Sequence, residues 1–268
     1  MQVKFLEKNI VSDYKFKTKP YKHQYDVFMK SRDKESYALF MEQGTGKSKV
    51  IIDNIAYLFR SGKIDHVIVV APKGVYRNWI NQEYEIHMPN DVKEFTDIEL
   101  WSPNLTKINL DRLANFLMPS HRLKFFVINI EALSSEKGKN YLERFLNIGN
   151  CFFVIDESTT IKNRSARRTK ACLKLARLAK YRRILTGTPV TRGPLDLWSQ
   201  IHFLDEYIFQ NSFYAYRNTY CVINRRRLST HTFDEVVGYQ RLDALQAVLK
   251  LHSFRVTKKE CLDLPDKV

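Results

Sequence analysis

Cysteine is scarce in this sequence, and its spacing does not suit metal binding. The four cysteines are Cys151, Cys172, Cys221 and Cys261, and no two of them form a C-x-x-C pair. A zinc site needs closely spaced ligands, and a disulfide framework needs many cysteines in a short chain, so we expect neither. Widely separated, unpaired cysteines suit a reducing cytoplasm.

Long apolar runs are also missing. No stretch approaches the roughly 20 apolar residues that a membrane-spanning helix needs. Residues 1–15 lack the apolar centre of a signal peptide, and the sequence contains no internal repeat and no low-complexity tract. These absences predict an intracellular soluble protein that has no membrane partner.

Acidic residues are few relative to basic ones. The 268 residues include 44 Lys and Arg against 29 Asp and Glu, so the formal net charge is +15. Such a surplus attracts polyanions, and nucleic acid is the partner that it indicates. A generally basic soluble protein is the alternative. The hydrophobic content of 44% is sufficient for one or two domains with a core.

Short apolar runs, in contrast, recur along the chain and alternate with helical patterns. Each run is nearly all apolar, as in strands of a parallel sheet that are buried on both faces. The predicted strands are residues 36–40, 66–71, 124–130, 151–156 and 181–186. The predicted helices are residues 47–60, 76–86, 111–118, 141–146 and 165–179. This alternation predicts an α/β fold, with a mostly parallel sheet and helices on both of its faces.

The composition changes after residue 204. Residues 205–255 are rich in aromatic residues and arginine, and they predict a small helical insertion packed on the main domain. We expect its aromatic side chains to form a core rather than to stack on bases, because stacking serves single strands. The predicted boundaries are therefore 1–204 for the main domain, 205–255 for the insertion and 256–268 for a linker.

The segment MEQGTGKS, residues 41–48, closely matches a phosphate-binding loop. The pattern G-x-x-x-x-G-K-[ST] is complete except for its first glycine, which is Met41 here. A predicted strand precedes the segment and a predicted helix follows it, and this context favours a phosphate loop over a glycine turn capped by Ser48. Backbone N–H groups would bind phosphate, the lysine would reach the β- and γ-phosphates, and the hydroxyl would bind Mg²⁺. The residues concerned are Gly44, Thr45, Gly46, Lys47 and Ser48.

An acidic pair follows the predicted strand at residues 151–156. Asp156 ends that strand, and Glu157 comes directly after it. We expect Asp156 to bind Mg²⁺ opposite Ser48, and Glu157 to orient and deprotonate the water that attacks the γ-phosphate. Together with the phosphate loop, including Lys47, this pair predicts hydrolysis of a nucleoside triphosphate. It does not indicate how the energy is used.

The order of these motifs resembles that of the first RecA-like lobe in Swi/Snf-type superfamily-two helicases, the ATP-driven translocases on double-stranded DNA. The resemblance begins near Pro20 and covers most of the chain. It is carried by KPYKHQYDVF (19–28), MEQGTGKS (41–48), HVIVVAPKGVYRNWINQE (66–83), FFVIDESTTIKN (152–163), RRILTGTPVTRGPLDLW (182–198) and SFRVTKKECLDLP (253–265). It implies a RecA-like P-loop NTPase fold, ATP and Mg²⁺ as cofactors, double-stranded DNA as partner, and hydrolysis coupled to movement on the duplex.

The resemblance also implies a second RecA-like lobe. ATP in such motors lies in a cleft between two lobes, and the second lobe supplies arginines to the γ-phosphate. The 268 residues contain no second lobe, so we expect them alone to bind ATP with Mg²⁺ weakly and to hydrolyse it poorly. The sequence resembles small phage or bacterial members more than large chromatin remodellers, which implies the cytoplasm of a bacterial cell or of an infected host cell.

The resemblance further implies roles for individual residues. Gln24 would read adenine, with Tyr21 stacking beside it, while Trp79 would be a packing residue. The residues that would contact DNA are Lys73, Arg77, Lys162, Asn163 and Arg164. The residues that would couple the γ-phosphate site to DNA are Thr186, Gly187 and Thr188. Ser158 and Thr159 stand where the family usually has alanine or glycine and then histidine, so the coupling through this histidine is not implied here.

Two other functions share parts of this pattern. An RNA helicase lobe would contain the same ATPase residues, although the segment at 182–198 favours DNA by resemblance. A module that binds or anneals nucleic acid without catalysis could also keep the fold. The joint presence of Lys47, Asp156 and Glu157 argues against that second alternative. A P-loop kinase would need an acceptor pocket, which no motif indicates.

Overall fold

A parallel sheet forms the centre of the protein. The computed structural model describes residues 14–104, 106–209, 212–228 and 231–261. Within these residues the strands are β1 Ser36–Met41, β2 His66–Ala71, β3 Thr96–Leu100, β4 Leu123–Asn129, β5 Cys151–Asp156, β6 Tyr181–Leu185, β7 Cys221–Leu228, β8 His231–Tyr239 and β9 Ser253–Val256. One sheet has the order β3-β4-β2-β5-β6-β1-β9, and each neighbouring pair in it is parallel. β7 and β8 form a separate antiparallel hairpin.

Helices occupy the connections between the strands. In the same described residues they are α1 Lys22–Ser31, α2 Lys47–Arg60, α3 Glu85–His87, α4 Asn90–Glu94, α5 Lys107–Phe116, α6 Glu136–Leu146, α7 Arg167–Ala176, α8 Leu197–Leu204, α9 Phe213–Tyr220, α10 Leu242–His252 and α11 Lys258–Cys261. A π-helical turn, Trp79–Tyr84, precedes α3. Short 3₁₀ turns lie at Ile130–Ser134, Ser158–Ile161 and Pro194–Asp196. Among the helices of these ranges, none has both the length and the apolar character needed to cross a membrane.

Apolar side chains fill both faces of the sheet. In β2, Val67 and Val69 belong to one core, while Ile68 and Val70 belong to the other. Successive side chains of a strand point to opposite faces, so a strand that is covered on both sides needs apolar residues throughout. α1 and α2 cover the first core, and α6, α7 and α8 cover the second. This two-sided burial confirms the predicted α/β architecture.

The five predicted strands are confirmed, each within one residue of its predicted ends. The two edge strands, β3 and β9, were not predicted. β3 carries Asp97 and Glu99 between its apolar residues, and β9 has only four residues, so neither gives a continuous apolar run. The helix predicted at residues 76–86 is a π-helical turn followed by the short helix α3.

The region after residue 204 contains a β-hairpin as well as helices. α9 and α10 are helical, but β7 and β8 between them were not predicted, because their arginine-rich sequence lacks a regular apolar alternation. Cross-strand ion pairs join the two strands instead, with Arg226 Nε 2.5 Å from Glu235 Oε2. β9 joins β1 in the main sheet, so residues 253–256 belong to the main domain rather than to the insertion. Residues 262–268 of the predicted linker lie outside the described residues.

Some aromatic residues of this region form a core, as expected. The rings of Phe209 and Tyr216 lie 4.8 Å apart between centroids, and Tyr216 is 1% exposed. The Tyr216 hydroxyl donates a hydrogen bond of 2.7 Å to the carbonyl oxygen of Pro194, which precedes α8. Tyr207, in contrast, is 74% exposed. The region therefore packs on the main domain through part of its aromatic set.

A buried arginine fixes α1 relative to the sheet. Arg183 of β6 is fully buried, and its guanidinium donates hydrogen bonds of 2.7 Å to the carbonyl oxygens of Ser31 and Lys34. A third bond, of 3.1 Å, reaches the side-chain oxygen of Asn54 on α2. Burial lowers the pKa of Arg183 to about 9. These bonds hold α1 beside α2 at the amino-terminal end of β6.

Candidate nucleotide-binding site

The phosphate loop connects β1 to α2. Gly44 has φ +83° and Gly46 has φ +84°, in the left-handed region where side chains are strained. A Cβ atom at Gly46 would also lie 2.2 Å from the amide nitrogen of Gln24. Met41, by contrast, is the last residue of β1, and its side chain is fully buried in the core. A glycine is therefore required at positions 44 and 46 but not at position 41.

The lysine of this loop lies inside it. Lys47 is 8% exposed, and its ammonium donates hydrogen bonds to the carbonyl oxygens of Met41 (2.9 Å) and Glu42 (3.4 Å). Burial lowers the pKa of Lys47, and the carboxylates of Glu157, Asp156 and Glu42 partly offset this effect. The charge of Lys47 is thus directed at the loop and balanced by nearby acidic groups.

Helix α1 packs directly on the phosphate loop. Gln24 donates a hydrogen bond of 3.1 Å from its amide nitrogen to the carbonyl oxygen of Thr45, and His23 Nε2 donates another of 2.8 Å to the same oxygen. The backbone N–H of Tyr21 donates to the Gln24 side-chain oxygen at 3.0 Å. The ring of Tyr21 is stacked on that of His23 and is 63% exposed. The residue predicted to read adenine therefore contacts the loop predicted to bind phosphate.

The acidic pair lies at the carboxyl end of β5. Asp156 Oδ2 accepts a hydrogen bond of 2.9 Å from Trp79 Nε1, and Oδ1 accepts one of 3.0 Å from the backbone N–H of Glu157. Burial raises the pKa of Asp156, while the hydrogen bond from Trp79 lowers it. Glu157 has φ +48°, a strained conformation for a residue with a side chain. Such strain is common at functional sites.

Trp79 has a polar role that the sequence did not predict. The residue is buried, as expected of a packing residue, but its indole N–H also holds Asp156. The π-helical turn Trp79–Tyr84 places Trp79, Gln82 and Glu83 on the same cavity as the acidic pair. Turns of this kind are rare and often occur at functional sites. No local sequence pattern signalled this contact, because it depends on the π-helical turn that begins at Trp79.

The threonine-rich turn after β6 lies against both the acidic pair and the phosphate loop. Thr186 is fully buried, and its hydroxyl donates a hydrogen bond of 3.3 Å to Glu157 Oε2. The same hydroxyl accepts a hydrogen bond of 3.2 Å from the backbone N–H of Thr188. A Cβ atom at Gly187 would lie 3.2 Å from the backbone nitrogen of Gln43, at the start of the phosphate loop. Of the three predicted coupling residues, Thr186 therefore contacts the acidic pair, Gly187 adjoins the loop, and Thr188 is bonded to Thr186.

Ser158 connects the acidic pair to α8. Its side chain is fully buried, and its hydroxyl donates a hydrogen bond of 2.6 Å to Gln200 Oε1. The amide nitrogen of Gln200 in turn donates to the carbonyl oxygens of Pro189 (2.8 Å) and Asp196 (2.7 Å). The unusual serine thus joins the segment after β5 to the segment after β6, a contact that an alanine or glycine would not make.

One cavity of about 700 Å³ brings the predicted nucleotide-binding residues together. Of those predicted residues, the cavity is lined by Tyr21, Gln24, Gly44, Gly46, Lys47, Ser48, Asp156 and Glu157. Thr45, which belongs to the loop, is buried. This volume lies in the range of small-molecule sites. Hydroxyl and carboxylate oxygens from Ser48 and Asp156 are ligands that Mg²⁺ prefers, and Mg²⁺ usually completes its shell with phosphate and water.

The predicted DNA-contacting residues fall into two groups at the carboxyl edge of the sheet. Lys73 and Arg77 follow β2 and are exposed. Lys162 hydrogen-bonds the hydroxyl of Thr191, and the guanidinium of Arg164 lies 4.2 Å from the ring centroid of Phe213. Asn163 accepts a hydrogen bond from the backbone N–H of Ser165. Within the described residues, no hydrogen bond or ion pair joins the first group to the second.

The chain matches a family model over nearly its whole length. Residues 21–268 match the model of the SNF2-related domain. The chain is 28% identical over 176 residues to a probable ATP-dependent DNA helicase, CHR12, of Arabidopsis thaliana, covering 63% of this chain and 14% of that protein. It is 26% identical over 251 residues to the SWI/SNF-related matrix-associated actin-dependent regulator of chromatin subfamily A-like protein 1 homolog of Caenorhabditis elegans, covering 92% of this chain and 32% of that protein.

Solved structures show the same fold. The SWI2/SNF2 ATPase core of Sulfolobus solfataricus in complex with dsDNA matches with a TM-score of 0.69 and 20% identity, covering 95% of this chain and 48% of that chain. This likeness confirms the predicted RecA-like fold. The chain spans less than a third of the two curated relatives and about half of the solved structure.

Proposed function

Because the chain belongs to the SNF2-related domain family, we propose that it is the ATP-binding lobe of a DNA-dependent ATPase. In the full-length protein, a second RecA-like lobe would close over the nucleotide, and hydrolysis would drive movement along double-stranded DNA. One observation carries the proposal. Lys47, Ser48, Asp156 and Glu157 meet in a single cavity, and Thr186 hydrogen-bonds the last of them.

The phosphate loop would bind the nucleotide through its backbone and Lys47. Gly44 and Gly46 would allow close approach of the backbone N–H groups, and the N-terminus of α2 would face the phosphates. The Lys47 ammonium would exchange its bonds with carbonyl oxygens for bonds with the β- and γ-phosphates. Gln24 and Tyr21 would bind the adenine, and their contact with the loop would place base and phosphates in one rigid frame.

Ser48 and Asp156 would hold Mg²⁺. When bound, this ion would supply positive charge to the β- and γ-phosphates. Burial disfavours the charged form of Asp156, as its raised pKa indicates, and a nearby cation would relieve that cost. The hydrogen bond from Trp79 keeps the carboxylate oriented in the cavity.

Glu157 would act as the base for hydrolysis. Its Oε2 accepts the hydroxyl hydrogen of Thr186, and its Oε1 would accept a proton from the attacking water during in-line displacement at the γ-phosphate. Thr186 also adjoins Thr188 and the turn that leads to the basic residues near Lys162. The contacts of Glu157 with Thr186, and of Thr186 with Thr188, would therefore couple the charge at the γ-phosphate to the basic residues near Lys162.

Double-stranded DNA is the proposed partner. The net charge of +15 supports a polyanionic track, and the names of the related DNA helicase and of the dsDNA-bound ATPase core support DNA over RNA. Lys73, Arg77, Lys162, Asn163 and Arg164 would contact phosphates, which position a protein without reading sequence. The lobe alone would bind ATP weakly and hydrolyse it poorly, since the charge-stabilising arginines would come from the second lobe.

ATP hydrolysis by the full-length protein, measured alone and with duplex DNA or duplex RNA, tests this function. We expect duplex DNA to stimulate hydrolysis most. Lys162→Ala should raise the DNA concentration for half-maximal stimulation about fivefold, as the loss of about 1 kcal/mol implies. Lys180→Ala, a change in an exposed lysine between α7 and β6, is the matched control. Stimulation by duplex RNA but not by duplex DNA would favour an RNA helicase. An absence of hydrolysis with both nucleic acids would favour a module that binds nucleic acid without catalysis.

A further inference from the structure

The segment after β9 runs beside the phosphate loop. β9 pairs with β1 in parallel, and Phe40 lies opposite Arg255 and Met41 opposite Val256. Parallel neighbours end at the same edge of a sheet, so the residues after Val256 lie next to the residues after Met41. Two hydrogen bonds join these continuations. The N–H of Glu42 donates to the Val256 carbonyl (3.0 Å), and the N–H of Lys258 donates to Glu42 Oε2 (2.7 Å).

This pairing brings the side chain of Lys258 against Gly44. A Cβ atom built at Gly44 would lie 3.4 Å from Lys258 Cε and 3.7 Å from its ammonium nitrogen. Lys258 is half-buried, and its ammonium makes no hydrogen bond or ion pair with any residue that the structure describes. Lys47, in contrast, donates from its own ammonium to the carbonyl oxygens of Met41 and Glu42.

Two ammonium groups near one loop repel each other. The Lys47 ammonium lies within the loop and the Lys258 ammonium lies against Gly44, while the carboxylates of Glu42, Asp156 and Glu157 balance part of this positive charge. The N-terminus of α2 adds partial positive charge at the same place. An anion with several negative charges would relieve this repulsion, whereas a neutral molecule would not.

We infer that Lys258 is a second phosphate-binding lysine, which contacts the β- and γ-phosphates of the nucleotide in the loop. The inference rests on the proposed function, because it requires that the loop bind ATP. The side chain needs only to turn about its own bonds, since its backbone is already fixed by Glu42 and by the pairing of β9 with β1. A flexible four-carbon stem and three rotatable donors suit such a contact.

The same contact would make the position of the segment that begins at Thr257 depend on whether a nucleotide is bound. Lys258 is the first residue of α11, and the hydroxyl of Thr257 donates to the Glu260 carboxylate at 2.8 Å. When Lys258 engages phosphate, α11 would therefore be held at three points, which are Glu42, the nucleotide and β9. Without a nucleotide only the two protein contacts would hold it.

Nucleotide binding by the full-length protein tests the inference, with Kd values for ATP, ADP and AMP measured in the presence of Mg²⁺. Lys258→Gln should weaken ATP binding about tenfold, because a charge-assisted hydrogen bond is lost. AMP binding should change less than about twofold, which also shows that the variant is folded. Lys258→Arg should restore most of the ATP affinity. Lys259→Gln, an exposed neighbour in the same helix, is the matched control.

Three results would overturn the inference in distinguishable ways. Equal ATP affinities for Lys258→Gln and Lys259→Gln, with a large loss for Lys47→Gln, would refute the role of Lys258 and leave the proposed function intact. No ATP binding by the unmodified protein would overturn both. A loss of affinity for AMP as large as that for ATP would show that Lys258 supports the fold of the loop rather than the outer phosphates.

Discussion

Replacing Trp79 by phenylalanine removes one hydrogen bond from Asp156 and keeps an aromatic ring in place. The Trp79 indole N–H lies 2.9 Å from Asp156 Oδ2 in a buried setting. Hydrogen bonds to charged groups contribute about 1.5–3 kcal/mol, and each 1.4 kcal/mol is about tenfold in an equilibrium constant. We therefore expect Trp79→Phe to raise the Mg²⁺ concentration for half-maximal ATP hydrolysis by about tenfold or more.

The pH dependence of this defect has a definite sign. Burial raises the pKa of Asp156, and the hydrogen bond from Trp79 lowers it. Without that bond the pKa of the carboxyl rises further, so a smaller fraction is ionised at a given pH. Mg²⁺ binds the ionised form. The defect of Trp79→Phe should therefore be largest at low pH and should shrink as the pH rises.

Steady-state ATP hydrolysis against Mg²⁺ concentration, at several pH values between about 6 and 9, measures this effect. Trp101→Phe is the control, because Trp101 is also buried but lines a different cavity. If the Mg²⁺ dependence of Trp79→Phe coincides with that of Trp101→Phe at every pH, the indole N–H has no role in metal binding. A loss that is independent of pH would show that Trp79 acts only through packing.

Three further substitutions test separate parts of the structure. Thr186→Val should lower kcat about tenfold with little change in KM for ATP, because it removes the hydrogen bond to Glu157 together with the one that Thr186 accepts from the N–H of Thr188; an unchanged kcat would contradict this role. Gly46→Ala should abolish ATP binding in calorimetry while circular dichroism stays native, since its Cβ would displace Gln24; unchanged affinity would refute the loop assignment. Arg183→Leu should lower the melting temperature by roughly 6–12 °C, because leaving buried carbonyl oxygens unpaired costs about 3 kcal/mol; a shift below about 2 °C would contradict it.

The centre of the fold could be predicted from the sequence because its strands are apolar on both faces. β2 and β5 read as continuous apolar runs, and the structure places them side by side. The edges could not be predicted in this way. In the edge strand β3, Asp97 and Glu99 interrupt the apolar run, and the β7–β8 hairpin is joined by arginine–carboxylate pairs that leave no apolar period.

The candidate site was predictable where its chemistry follows local sequence. Lys47 and Asp156 each sit in a motif whose spacing is fixed by a strand end and a helix start. The roles of Trp79 and Lys258 could not be predicted in this way, because their contacts depend on tertiary structure. The contact of Trp79 with Asp156 depends on a π-helical turn, and the contact of Lys258 with Gly44 depends on the pairing of β9 with β1. Neither feature has a local sequence pattern.

Ser158 shows a different limit of sequence reasoning. From the sequence alone, a serine where the family usually has alanine or glycine indicated only a departure from the family pattern. The structure gives the serine a buried partner, Gln200, which also bonds the carbonyl oxygens of Pro189 and Asp196. The hydroxyl can therefore link the acidic pair to the segment after β6, a role that depends on the tertiary position of α8.

Glu157→Gln tests the central claim most directly, since it changes the proposed base without changing the shape of the cavity. In the full-length protein with duplex DNA and Mg²⁺, ATP binding and ATP hydrolysis should be measured on the same sample. We expect affinity for ATP within about threefold of the unmodified protein and hydrolysis slower by at least about a hundredfold. Hydrolysis at the unmodified rate would contradict the assignment of Glu157 as the base and, with it, this cavity as the site of the reaction.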